Sequence, residues 1–143
     1  MPLGQKIWDE SSKAVGKRIL DCSERGVHAE ISFVGQIKGC GRLAGIDGKI
    51  IGTDDFWEKL TGEVTTGTAC GVLGLKDDFI AFKAVGLGKL VKKSPLGLEK
   101  LLSLLWLIDP PPDFSWMRNT LILWEAVTDP NTQTVTAAAY EWE

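Results

Sequence analysis

The stretch that most constrains this chain is residues 64–91, where two glycine-punctuated runs rich in β-branched and aromatic residues flank Lys76-Asp77-Asp78. Short polar residues compete for backbone hydrogen bonds and accept turn geometry, so the segment reads as a long β-hairpin. Glycines 67, 71, 74, 86 and 88 fall inside its strands. There they weaken packing unless the sheet bends sharply or another group approaches the backbone closely, and a small closed barrel requires both. With Leu75 opposite Phe79 across a three-residue loop, the even positions share one face: Thr66, Thr68, Cys70 and Val72 with Ile80, Phe82, Ala84, Gly86 and Gly88. Lys83 and Lys89 take the other face, and charged ends prefer water, so the even set is expected inside.

The remaining segments extend the same pattern. Residues 5–20 mix apolar and polar side chains around Gly16 and read as one irregular strand or two short ones. In residues 27–38, Val27, Ala29, Ile31, Phe33 and Ile37 alternate with His28, Glu30, Ser32, Gln36 and Lys38. That period of two marks a strand covered on one side only. Residues 39–52 read as a bent strand or a tight hairpin turning at Asp47-Gly48, and 53–62 as a loop with one helical turn. Residues 98–108 are ambiguous: leucine favours a helix, but about seven other strands precede and follow, and an up-and-down barrel closes on an even number. They are assigned as a strand. The proline run at 109–113 lacks amide hydrogens and forms a stiff extended loop. A last hairpin pairs 120–127 with 132–142 around Thr128-Asp129-Pro130-Asn131. The fold expected is all-β, a closed eight-stranded, mainly antiparallel up-and-down barrel (lipocalin-like or calycin-like), formed by residues 1–143 as a single domain.

The net charge of −3 over 143 residues leaves no broad basic surface, which argues against nucleic acid as a partner. The three cysteines, Cys22, Cys40 and Cys70, cannot all pair and show no metal or redox spacing. The N-terminal residues lack the apolar run of a secretory signal, and the apolar run near 101–108 is too short to cross a bilayer. A cytoplasmic protein with no membrane partner is the expectation. His28 is the sole histidine, so no histidine-rich metal site exists, and neither a metal nor a cofactor is expected.

Several short motifs, Ile31-Ser-Phe-Val-Gly35, Ile51-Gly-Thr53, Cys70-Gly-Val-Leu73 with Lys76-Asp77, Gly86-Leu-Gly-Lys89, Arg118-Asn119 and Tyr140-Glu-Trp-Glu143, run across nearly the whole chain. In them the chain resembles uncharacterised small prokaryotic β-barrel proteins of lipocalin-like or avidin-like shape. The resemblance implies an eight-stranded meander with 98–108 as the sixth strand, and brings no catalytic residues with it. The chain departs from that pattern at Thr68, Cys70 and Val85, and in its leucine-rich sixth segment.

Candidate site residues follow from the expected inner face. The small set Thr68, Cys70, Ala84 and Gly86, beside Phe82, leaves room on one wall for a ligand. Trp57, Trp116 and Trp124 are candidate flat walls, the first two in predicted loops at a mouth. Cys70 has no basic neighbour in sequence and reads as small filler, not a nucleophile. Asp54, Asp55, Glu58 and Glu63 form a carboxylate group able to bind a cation or act as acid and base, set against the plainer reading of solvated mouth residues. Glu125 interrupts an apolar run and Tyr140 lies in the facing strand. They are the candidate catalytic pair, with a solvent-facing Glu125 as the plainer reading.

The principal function expected is binding of a small apolar or aromatic molecule in the barrel interior. The alternatives are a cofactor-free isomerase or cyclase acting in that pocket, and a structural barrel that forms a homodimer through 98–108. In that strand neither the even nor the odd positions are polar, so one apolar face is left for a contact.

Overall fold

The computed structural model describes residues 3–58, 64–89, 100–129 and 131–142. Eight strands follow in order: β1 (Leu3–Ser23), β2 (Gly26–Gly39), β3 (Asp47–Glu58), β4 (Thr65–Leu75), β5 (Asp78–Lys89), β6 (Lys100–Ile108), β7 (Leu121–Asp129) and β8 (Thr134–Trp142). Each pairs antiparallel with the next and β8 pairs back with β1, so the sheet closes with no open edge order. An even strand count lets an up-and-down meander close in this way. Among the described residues no helix is long and apolar enough to cross a membrane.

One end of the barrel is plugged. The 3-10 turn Gly41–Leu43 between β2 and β3 and the 3-10 segment Pro112–Met117 between β6 and β7 fold under it. Leu43, Phe114 and Met117 are fully buried there, packed against Trp8, Ile37, Ile50, Leu73, Leu75, Ile80, Phe82, Leu105 and Leu107. Burying a large apolar side chain contributes roughly 1.5–3 kcal/mol, so this cluster holds the barrel together from one end. The proline-rich connection is a plug, and does not shield the outer side of β6.

Three expectations are corrected. Leu75 pairs with Asp78, so Lys76-Asp77 is a two-residue turn, opened by Lys76 at φ +54°. A one-residue change in register flips every side chain of a strand. Consequently Leu73 and Leu75 are buried while Thr66, Thr68, Cys70 and Val72 lie on the exposed outer side of β4. The even positions of β5 do face inward, with Ile80, Phe82 and Ala84 buried. Asp47-Gly48 is no turn: it begins β3 and pairs with Ile37 and Lys38. Finally, β3 runs on through Glu58, so Asp54, Asp55 and Glu58 are strand residues. Glu63, like the rest of 59–63, lies outside the described residues.

Candidate functional site: a half-polar cavity at the open end

Above the plug the barrel encloses a cavity of about 150 Å³. Its wall is thin where Gly67 of β4, Gly86 of β5 and Ser103 of β6 lie in one cross-strand row. A Cβ at Gly86 would run into the Ser103 hydroxyl, so this close approach of two strands requires glycine. Phe33, Phe56 and Trp124 bring aromatic surface to the cavity, and Ala69 adds a small inner residue.

Its polar groups come chiefly from β1 and β3. On β1, alternation turns Trp8, Glu10 and Ser12 inward, and all three are buried. Both oxygens of Glu10 are engaged: Oε1 accepts from Trp8 Nε1 at 3.2 Å and from Trp124 Nε1 at 3.0 Å, and Oε2 from the Ser12 hydroxyl at 2.7 Å. Burial raises the pKa of this carboxyl, and the donors from Ser12, Trp124 and Trp8 oppose the rise by favouring the charged form.

Asp54 faces the same cavity from β3. The residue is half-buried because it borders the cavity, yet protein crowds its carboxyl. Desolvation, reinforced by the charge of Glu10, pushes its pKa from 3.8 to about 7. Three donors favour the charged form of Glu10 against its burial, and Asp54 takes up a proton near neutrality. The arrangement offers one fixed acceptor and one group able to give or take a proton at ordinary pH.

At the rim a register shift between Ala14 and Gly16 of β1 changes which side chains turn inward. It brings Lys17 to the cavity, where its Nζ donates to both oxygens of buried Glu58 at 3.0 and 2.9 Å. Sequence reasoning missed Glu10, Ser12 and Lys17 entirely and placed Asp54 and Glu58 in a solvated loop. Asp54 and Glu58 would have been legible from the period-two set Ile50, Gly52, Asp54, Phe56 and Glu58, had 53–58 been read as strand.

The residues proposed from sequence are dispersed. Gly86 and Trp124 border the cavity, Thr68 borders its rim from the exposed side, and Phe82 and Ala84 are buried in the packed core. Cys70 is exposed outside. Trp57 stacks on His28 with ring centroids 4.9 Å apart, while His28 Nε2 lies 2.7 Å from Asp55 Oδ1. Trp116 sits at the plugged end beneath Arg42, whose guanidinium is 3.8 Å from the ring centroid. Glu125 and Tyr140 do meet, with the Tyr140 hydroxyl donating to Glu125 Oε1 at 3.3 Å, but on the exposed side of the barrel. The strand alternation that puts Trp124 and Ala126 inside turns Glu125 outward, so this pair does not face the pocket.

No family model matches the chain, and no curated protein matches it. Solved structures do. A protein of unknown function from Clostridium acetobutylicum superposes with a TM-score of 0.71 at 16% identity, covering 97% of this chain and 98% of its own. A conserved protein of unknown function from Rhodopseudomonas palustris gives 0.70 at 14% identity, covering 99% and 98%. A beta-barrel-like protein from Acinetobacter baumannii gives 0.72 at 15% identity, covering 100% and 98%. The chain has the fold of these bacterial barrel proteins. At such identities the likeness extends to the fold alone.

The outer side of the barrel carries its own apolar surface. Val85, Leu104 and Leu123 lie in one cross-strand row and Leu87 pairs with Leu102 in the next. Val85, Leu87 and Leu102 are each more than 40% exposed. In β6 the even positions thus face outward, while Leu105 and Leu107 are buried inside.

Proposed function

We propose that this protein binds a small molecule with a flat apolar or aromatic body inside the barrel. The observation that carries the reading is the cavity itself, plugged at one end, bordered by Phe33, Phe56 and Trp124, and about 150 Å³ in volume. A space of this kind accepts a ligand of roughly one substituted ring. Trp124 supplies the readout, since a ligand against its indole changes its emission. Titration with single-ring compounds should quench fluorescence and raise the melting temperature. Ala69→Phe, which fills the cavity from its wall, should abolish both effects. Absence of any response across such a panel, or responses that survive Ala69→Phe, would count against an interior site. The free cysteines Cys22, Cys40 and Cys70 suit a reducing, cytoplasmic setting.

The outer row of Val85, Leu104 and Leu123, with Leu87 and Leu102, favours a second reading, a weak homodimer through β5 and β6. Sedimentation at two concentrations tests it: a dimer should dissociate on dilution and be lost in Leu102→Thr, and a monomer at both concentrations would refute it.

A further inference from the structure

On the reading that the cavity binds a small aromatic molecule, we propose that its ligand is an organic cation, a primary arylalkylamine or amidine. The charged head sits at Glu10 and Asp54 and the ring lies against Phe33, Phe56 and Trp124. Two carboxylates from strands that are not neighbours in the barrel face one small cavity, and their arrangement differs in a telling way. Glu10 already accepts from Trp8, Trp124 and Ser12. Asp54 borders the cavity with no side-chain hydrogen-bond or ion-pair partner among the described residues. A carboxyl crowded by protein on one side and open to the cavity on the other is matched by a ligand that brings a charged donor in from the cavity.

The charges around it select the sign of that ligand. From β1, Glu10 and Lys17 face the cavity and from β3, Asp54, while Asp55 and Asp129 also border it; Glu58 lies behind Lys17 as its ion-pair partner. The bordering residues of β2, β4, β5, β6 and β8 carry no titratable group. Lys17, the single cation bordering the cavity among the described residues, is committed to both oxygens of Glu58. An anionic ligand would therefore meet uncompensated negative charge, whereas a cation meets an open acceptor and aromatic faces, both of which attract it. A metal ion is the poorer fit, since no group of three or more His, Cys, Asp or Glu suited to hold one occurs among the described residues.

The proposal fixes the sign of a pH effect. An ammonium head favours ionised Asp54, so the amine should bind more tightly as pH rises towards the point where Asp54 loses its proton, and level off above it. A neutral ring lacks this gain and should bind no better at high pH than at low. Benzylamine, benzyl alcohol and benzoate, titrated by calorimetry at about pH 5 and about pH 8, separate the cases. Benzylamine should bind better than benzyl alcohol at the higher pH by on the order of tenfold or more, and benzoate least. Asp54→Asn should remove that preference and its pH dependence while benzyl alcohol still binds, which also shows that the variant is folded. Should it not fold, the pH dependence of the unaltered protein decides alone. Benzyl alcohol binding as well as benzylamine at both pH values, or a preference that persists in Asp54→Asn, overturns the cation assignment and leaves the interior site standing. No binding of any of the three overturns both.

Discussion

Replacing Asp54 by asparagine should make the folded protein more stable at alkaline pH and leave it nearly unchanged in acid. Burial and the neighbouring charge of Glu10 move the carboxyl from its ordinary pKa of 3.8 to about 7. Between those values the folded protein holds a proton that the unfolded chain has released, so stability falls as pH rises across the interval. Below it the effect is absent, and above it the effect is complete. At about 1.4 kcal/mol per tenfold change in proton affinity, the ceiling is roughly 4 kcal/mol. The carboxyl borders a cavity open to water, which screens its charge, and a realised effect of about 2 kcal/mol is expected. Asparagine copies the shape of the protonated acid without the charge. Urea unfolding should therefore find the two proteins within about 0.5 kcal/mol near pH 3, below the interval, with the variant about 2 kcal/mol more stable near pH 8. A gain of equal size at both pH values, or none at pH 8, would refute the argument, because either result means that the charge is not what is being relieved.

Gly71→Ala should cost about 2–3 kcal/mol in urea unfolding, since the added methyl would strike the Ile51 carbonyl, the Gly52 Cα and the Phe82 ring. The same change at Gly74 meets the Phe79 ring at 3.7 Å and the Lys49 carbonyl at 3.9 Å, both ordinary contacts, and should cost less than about 1 kcal/mol. Arg42→Ala should lower the melting temperature, at a cost of about 1–3 kcal/mol, because it leaves Glu141 buried without its 2.9 Å partner. Adding Glu141→Gln should recover part of that loss. Tyr140, the sole tyrosine, has its pKa raised by desolvation and then by Glu125. Glu125→Gln should thus bring the absorbance titration of the phenol down towards 10 while leaving Trp124 emission unaltered; no downward movement would refute the contact.

Strand identity was legible where the pattern is local. The alternation in residues 27–38 marks β2, and turn residues near 76–77 and 128–131 separate β4 from β5 and β7 from β8, because such preferences act over a few neighbouring residues. Counting those strands made closure the economical solution for 98–108, against its own helical propensity, and β6 there completes hydrogen bonding between β5 and β7. Which face of β4 turns inward was decided only in three dimensions. A loop of two or three residues is nearly indifferent locally, but the shorter one buries Leu73 and Leu75 within the plug, and that burial outweighs the turn's preference. The candidate site lay further out of reach. Glu10 meets Trp124, 114 positions away, and shares its cavity with Asp54 of a non-adjacent strand. A carboxylate's neighbours in sequence do not reveal whether water or protein surrounds it; closure of the barrel crowds protein around both carboxyls and so shifts their titration and sets the chemistry of the pair.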